Sequence, residues 1–188
     1  MLALLPGPAV VERSIGDLLA DGVVRPVVRA PNRMLGVACD AVDPHDARTV
    51  QVVADLAATM RASPGCVGLA APQIGLAVHV FVVDVSAHPK ARTSHGFVAL
   101  CNARVVEASQ WSKSREGCLS VPDLTGDVKR AGRVVVAGQL PGTGAQIEFS
   151  ADSFEARALQ HEIDHCTGLL FLDRVDGARC VHPRRVYL

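Results

Sequence analysis

Residues 161 to 165 read His-Glu-Ile-Asp-His, and they are the strongest chemical signal in the chain. On a helix, side chains four apart lie one above the other, so both imidazoles can reach one ion. Glu162 falls about 100° round the helix from His161, too far to join that ligand pair but near enough to touch a bound water. That is the position of a general base. Phe154 and Ala158 lie on the same face as His161, which gives this stretch an apolar flank rather than a fully solvated one. A catalytic ion needs a third protein ligand and an open fourth position. Two familiar peptidase solutions fail: a third histidine ten residues after His161 would occupy the position of Phe171, and no Glu follows Glu162. Asp173, Asp176, His182, Cys166 and Cys180 are conceivable downstream ligands, each better explained as surface charge, a core thiol or a tail residue.

Upstream lies Glu116-Gly117-Cys118-Leu119-Ser120. A lone cysteine is more often a small buried hydrophobe than a ligand. Taken with two other blocks, however, it becomes specific. Gly68-Leu69-Ala70-Ala71-Pro72-Gln73, Glu116 to Ser120, and His161 to Gly168 stand in an order and spacing that resembles the peptide deformylase family. The likeness runs from about Arg25 to Val175. It implies an α+β fold with antiparallel sheets around a central helix that carries HExxH. It also implies one divalent ion per chain held by Cys118, His161 and His165, with Glu162 moving protons. The Gln73 amide and the Leu119 backbone N–H would be oxyanion donors, and Val67, Gly68 and Gly117 would line the substrate groove. A thiolate ligand favours Fe(II), Ni, Co or Zn over Mg or Ca. Fe(II) is the metal the resemblance leads one to expect, with Zn(II) or Ni(II) as other occupants.

The implied reaction is hydrolysis of the formyl group from the N-terminal methionine of nascent polypeptides, releasing formate. Phe154, Ala158 and Val67 would form an apolar pocket for the methionine side chain. The resemblance also places Glu116 beside Arg130. One departure stands out: the family has a glycine where this chain has Cys66, and a backbone that needs positive φ there would be strained by a cysteine. Two competing readings are an HExxH peptidase with a third ligand other than Cys118, and a catalytically silent relative that binds peptide N-termini.

The elements that must position these residues can be read from periodicity. Asp43-Pro44 is a helix-start signal, and Val50, Val53, Ala54, Ala57 and Met60 then recur at helical spacing up to Ser63-Pro64-Gly65. Short β-rich runs follow: Val78 to Val85, Phe97 to Cys101, Arg104 to Ala108, Cys118 to Val121, Arg133 to Gly138 and Ala145 to Phe149. A second helix is predicted from about Asp152, through an Asp152/Glu155 capping box, to Gly168. Ser14 and Asp17 form another capping-box pattern in the first turn of a short N-terminal helix. The outline of helix, strands and helix describes an α+β domain over 1–188, with 1–24 as an N-terminal extension and 176–188 as a C-terminal tail.

With 49% hydrophobic but only 4% aromatic residues, the core must rest on Ala, Val and Leu. Nineteen basic and nineteen acidic side chains cancel, which argues against a surface tuned as a whole to nucleic acid or anionic membrane. Six scattered cysteines without a CxxC pair suggest reduced thiols. No apolar stretch approaches a membrane span and no basic leader precedes Arg13, so a cytoplasmic protein is expected. His45, His79, His88 and His95 read as solvent-facing or locally bonded. Arg174, Arg179, Arg184 and Arg185 make the tail weakly basic; a solvated tail is the preferred reading over a ribosome-facing contact.

Overall fold

The structure is a computed structural model that describes residues 22–184. The short helix expected around Ser14 and Asp17 lies outside those residues. Helix α1 spans Ala47–Ala62 and begins where the Asp46 side chain accepts from the Arg48 backbone N–H at 2.8 Å. Asp43 and Pro44 shape the preceding turn instead of opening the helix. The helix ends at Ser63, as the Ser-Pro-Gly signal predicts.

Six strands form one antiparallel sheet: β1 Gly68–Ala70, β2 Val80–Val83, β3 Val98–Cys118, β4 Val121–Gln139, β5 Gln146–Asp152 and β6 Val181–Pro183. The order is β1-β2-β3-β4-β5, with β6 on the far part of β4. Three of the short runs expected from sequence merge into the β3–β4 hairpin. The middle of β3, from Glu107 to Lys113, is exposed, so it carries no hydrophobic alternation, and its pairing with β4 is what makes it strand. Within Cys118 to Val121, expected as a strand, Leu119 and Ser120 are the two-residue turn between β3 and β4, with Cys118 at the end of β3 opposite Val121 at the start of β4 and a register shift beside Gly117.

Helix α2, Ser153–Cys166, carries the HExxH residues and stops before Gly168, which has φ +77°. The expected Asp152/Glu155 capping box does not form. Asp152 accepts instead from the Thr93 hydroxyl, and the Glu155 carboxylate turns to the backbone N–H and ring of His95. The residues read as a tail also differ, because Val181–Pro183 pairs with Leu124–Gly126.

Strand β2 is buried on both faces, and period-two alternation divides it between the helices. Val80 and Val82 pack with Val53, Leu56 and Met60 of α1, whereas Phe81 and Val83 pack with Ala158 and Leu159 of α2. Val134, Val136 and Phe149 complete the α2 side. Each such side chain contributes about 1.5–3 kcal/mol when fully buried. The HExxH helix is thereby clamped along its length. Among the described residues no helix is long and apolar enough to cross a membrane.

Candidate metal centre

The last turns of α2 present His161, Glu162 and His165 to the end of β3. Nε2 of His165 lies 3.2 Å from Sγ of Cys118, and the His161 and His165 rings meet edge to face at 4.9 Å. One ligand atom from each of Cys118, His161 and His165 falls within 4.8 Å of the others. Burial opposes charge on the Cys118 sulfur, but the two imidazoles outweigh it and hold the thiol well below its ordinary pKa. One thiolate and two imidazoles are a donor set that suits Fe(II), Ni(II) or Zn(II), so these residues fit the ion that the sequence implied.

The histidine at the outer position is oriented from behind. Nδ1 of His161 lies 3.1 Å from Oε2 of Glu116, which turns the other ring nitrogen toward the sulfur. Arg130 grips Glu116 with two N–H groups, at 2.9 and 3.1 Å, and Asp164 with a third at 2.5 Å. Arg174 donates to both oxygens of Asp164. Although burial works the other way, His161 and Arg130 bring the Glu116 carboxyl down to about 2. Asp164 was invisible as a contributor from sequence, since only its place inside HExxH marks it.

Gln73 is buried, and its carboxamide is held by both ends. Its oxygen accepts from the Ala70 N–H at 2.9 Å, so its NH2 group faces Cys118 Sγ at 3.4 Å and Ser120 Oγ at 3.2 Å. The Ser120 N–H also donates to the sulfur. Leu119 sits between them in the tight turn that follows β3.

Glu162 is buried, yet its Oε2 has no hydrogen-bond partner among the described residues. Burial pushes its carboxyl up to about 7, against the pull of the neighbouring imidazoles. A Cβ built on Gly68 would stand 2.5 Å from Oε1 of Glu162. Only a residue without a side chain leaves that carboxylate its place.

Gln73, Glu116, Cys118, His161 and Glu162 line one cavity of about 630 Å³, and Val67, Gly68, Gly117, Leu119, Phe154 and Ala158 line it too. Cys66 also belongs to the wall, and the feared strain is absent, because it is not among the positive-φ residues. Its thiol donates to the Gly68 carbonyl at 3.1 Å, and burial pushes it up to about 12, so it is an inert filler. Several wall residues were missed, His88 and Arg184 among them. His88 stacks on Phe154, with ring centroids 4.0 Å apart, and Arg184 lies over Gly117. Neither has a local sequence signature; both are brought in by remote chain.

A buried carboxylate with one uncommitted oxygen, set beside three converging metal-ligand atoms, defines the class of metal-dependent amide hydrolases. Within that class the family model described as polypeptide deformylase matches residues 24–180, and the chain belongs to this family. The peptide deformylase of Halothermothrix orenii is 35% identical over 168 residues, covering 89% of this chain and 94% of that protein. That of Carboxydothermus hydrogenoformans is 43% identical over 128 residues, covering 68% and 78%. The actinonin-bound crystal structure of the class I type b peptide deformylase from Acinetobacter baumannii superposes with a TM-score of 0.73 at 31% identity, covering 82% of this chain and all of that one. The activity that follows is metal-dependent hydrolysis of the formyl group from the N-terminal methionine of nascent polypeptides.

Proposed function

We propose that Cys118, His161 and His165 hold one divalent ion, Fe(II) in the working enzyme and Zn(II) or Ni(II) as other occupants, and that Glu162 carries the protons of deformylation. The observation that supports this reading most directly is the convergence of three ligand atoms within 4.8 Å beside the uncommitted oxygen of Glu162. When bound, such an ion acts as a Lewis acid that lowers the pKa of a water from 15.7 toward roughly 7. Glu162 would take a proton from the water that attacks the formyl carbon and return it to the departing amine. Negative charge gathering on the formyl oxygen is met by the Gln73 NH2, already aimed by Ala70, and by the Leu119 N–H. One such donor is worth about 3–4 kcal/mol in the transition state.

Substrate backbone lies between Val67-Gly68 and Gly117, and the methionine side chain enters the pocket of Val67, Phe154 and Ala158. In this reading α2 is the central helix of the fold, residues 22–184 act as one domain, and the cytoplasm, where chains leave the ribosome, is the place of work. Contact with the ribosome surface belongs to the same proposal.

The test is formate release from a formyl-Met-Ala-Ser peptide by protein loaded anaerobically with Fe(II), which protects metal and thiolate from oxidation. Glu162→Gln should keep its metal and lose turnover, whereas Cys118→Ala should lose the metal. Retention of metal by Cys118→Ala would assign the site to a different ligand set.

A further inference from the structure

Positive and negative side chains are equal in number over the chain, but they are not equally shared by the groove. Its wall includes five cations, Lys90, Arg92, Arg115, Arg157 and Arg184, and two carboxylates, Glu116 and Glu162. Both carboxylates are largely buried. Glu116 is held by Arg130 and His161, and Glu162 is buried at the floor against Gly68. Lys90, Arg92 and Arg157 therefore line the groove without a wall carboxylate paired to them among the described residues. Arg115 is balanced by Asp127 at 2.6 Å, outside the cavity. Arg157 donates only to a neutral partner, Ser112 Oγ at 2.8 Å. Among the described residues no carboxylate forms an ion pair within 4.0 Å of Lys90, Arg92 or Arg157.

These cations come from separate parts of the chain: the segment between β2 and β3, strand β3, helix α2 and the residue after β6. The last is held deliberately close. Strand β6 pairs with β4, His182 bonds Asp127 at 2.9 Å, and the Arg184 N–H donates to the Asp123 carbonyl at 2.8 Å. The Arg184 guanidinium then lies where a side chain on Gly117 would be. Residues 181–184 lie beyond the stretch that the family model matches.

A peptide that puts its formyl group at the metal centre runs outward along Gly117, and each extended residue advances it by about 3.3–3.6 Å. On that path the residues beyond the formyl-methionine are the ones that can meet the cations of the wall. We infer that the groove selects substrates with acidic side chains just after the formyl-methionine and disfavours those with lysine or arginine there. This rests on the deformylase reading above and adds a substrate class to it. Attraction and like-charge repulsion act together on the two kinds of peptide, which widens the discrimination.

The test compares two peptides, formyl-Met-Ala-Asp-Asp-amide and formyl-Met-Ala-Lys-Lys-amide, and their deformylated products, with the metal-loaded full chain. We expect kcat/KM, and the calorimetric affinity of the products, to favour the acidic peptide about tenfold in dilute buffer. The gap should narrow in about 0.5 M salt, where the Debye length falls to a few ångströms. Replacing Arg92 and Arg157 together by Gln should shrink the acidic-to-basic ratio at least about threefold at unchanged melting temperature. Equal formate release from both peptides would overturn the inference and leave the deformylase reading standing. No formate from either peptide would instead overturn that reading. Should the double variant keep the peptide ratio but lose binding of a single-stranded RNA, the cations would serve nucleic acid and the inference would fall.

Discussion

Nδ1 of His161 lies 3.1 Å from Oε2 of Glu116, and Glu116 is in turn fixed by two N–H groups of Arg130. The ring orientation of a proposed metal ligand is thus set by a residue 45 positions away, across the β3–β4 hairpin. Outer partners of this kind typically contribute 10–100-fold in metal affinity. Glu116→Gln should weaken metal binding by about that factor, measured by competition with a chromogenic chelator. Unaltered affinity would mean that the ring is positioned by packing alone.

Arg130 joins Glu116 on β3 to Asp164 on α2, with all three side chains largely buried. Removing one member of such a group leaves uncompensated charge in the interior. Arg130→Met should therefore destabilise the fold by about 3–5 kcal/mol in urea denaturation. A loss below about 1 kcal/mol would show that the carboxylates find other partners.

Gly68 gives Glu162 its room. Gly68→Ala would bring a Cβ to 2.5 Å from Oε1 and push the carboxylate aside. The expected outcome is a fall in kcat of about 10²-fold or more with metal content preserved, since small misplacement of a reacting group is costly. Normal turnover in the loaded variant would remove Glu162 from the reaction.

Ala158 sits on α2 one turn before Glu162 and lines the groove with Phe154. Ala158→Leu would fill the space assigned to methionine. KM for formyl-Met peptides should rise about tenfold, in keeping with the 1–3 kcal/mol of overpacking. Steady-state kinetics that match the parent would discard that pocket.

His95 reaches the buried Glu155 carboxylate with ring and backbone, at 2.8 Å each. That bond, helped by the charges of Glu155 and Asp152, raises the imidazole pKa despite partial burial. A raised pKa in the folded state favours the protonated form. The associated stability is fully present below the unfolded value of about 6.5 and is lost as pH rises through the folded pKa. Melting temperature should fall more steeply above neutrality in the parent than in His95→Gln. Parallel curves would contradict the linkage.

Chemistry at this site was legible in the linear sequence wherever the needed atoms come from one element. HExxH places two imidazoles by helical repeat alone, and the signals at Ser63-Pro64-Gly65 and Gly168 bound both helices well. Cys118 and Gln73 were reachable only through the likeness of three motifs to a known family. The local strand assignment around Cys118 was wrong, because the turn there depends on how β3 and β4 pair rather than on the propensities of four residues.

Residue identities by themselves determined the two histidine donors of HExxH, the carboxylate beside them and the two helices that flank the sheet, since these follow from side-chain chemistry and short-range periodicity. Tertiary structure alone decided that Glu155 would serve His95 instead of a helix cap, that Arg130 would bridge Glu116 and Asp164, and that β6 would carry Arg184 to the groove. Each of those contacts joins segments remote in sequence. Their free energy exists only once the sheet has closed the distance, so no local pattern can encode them.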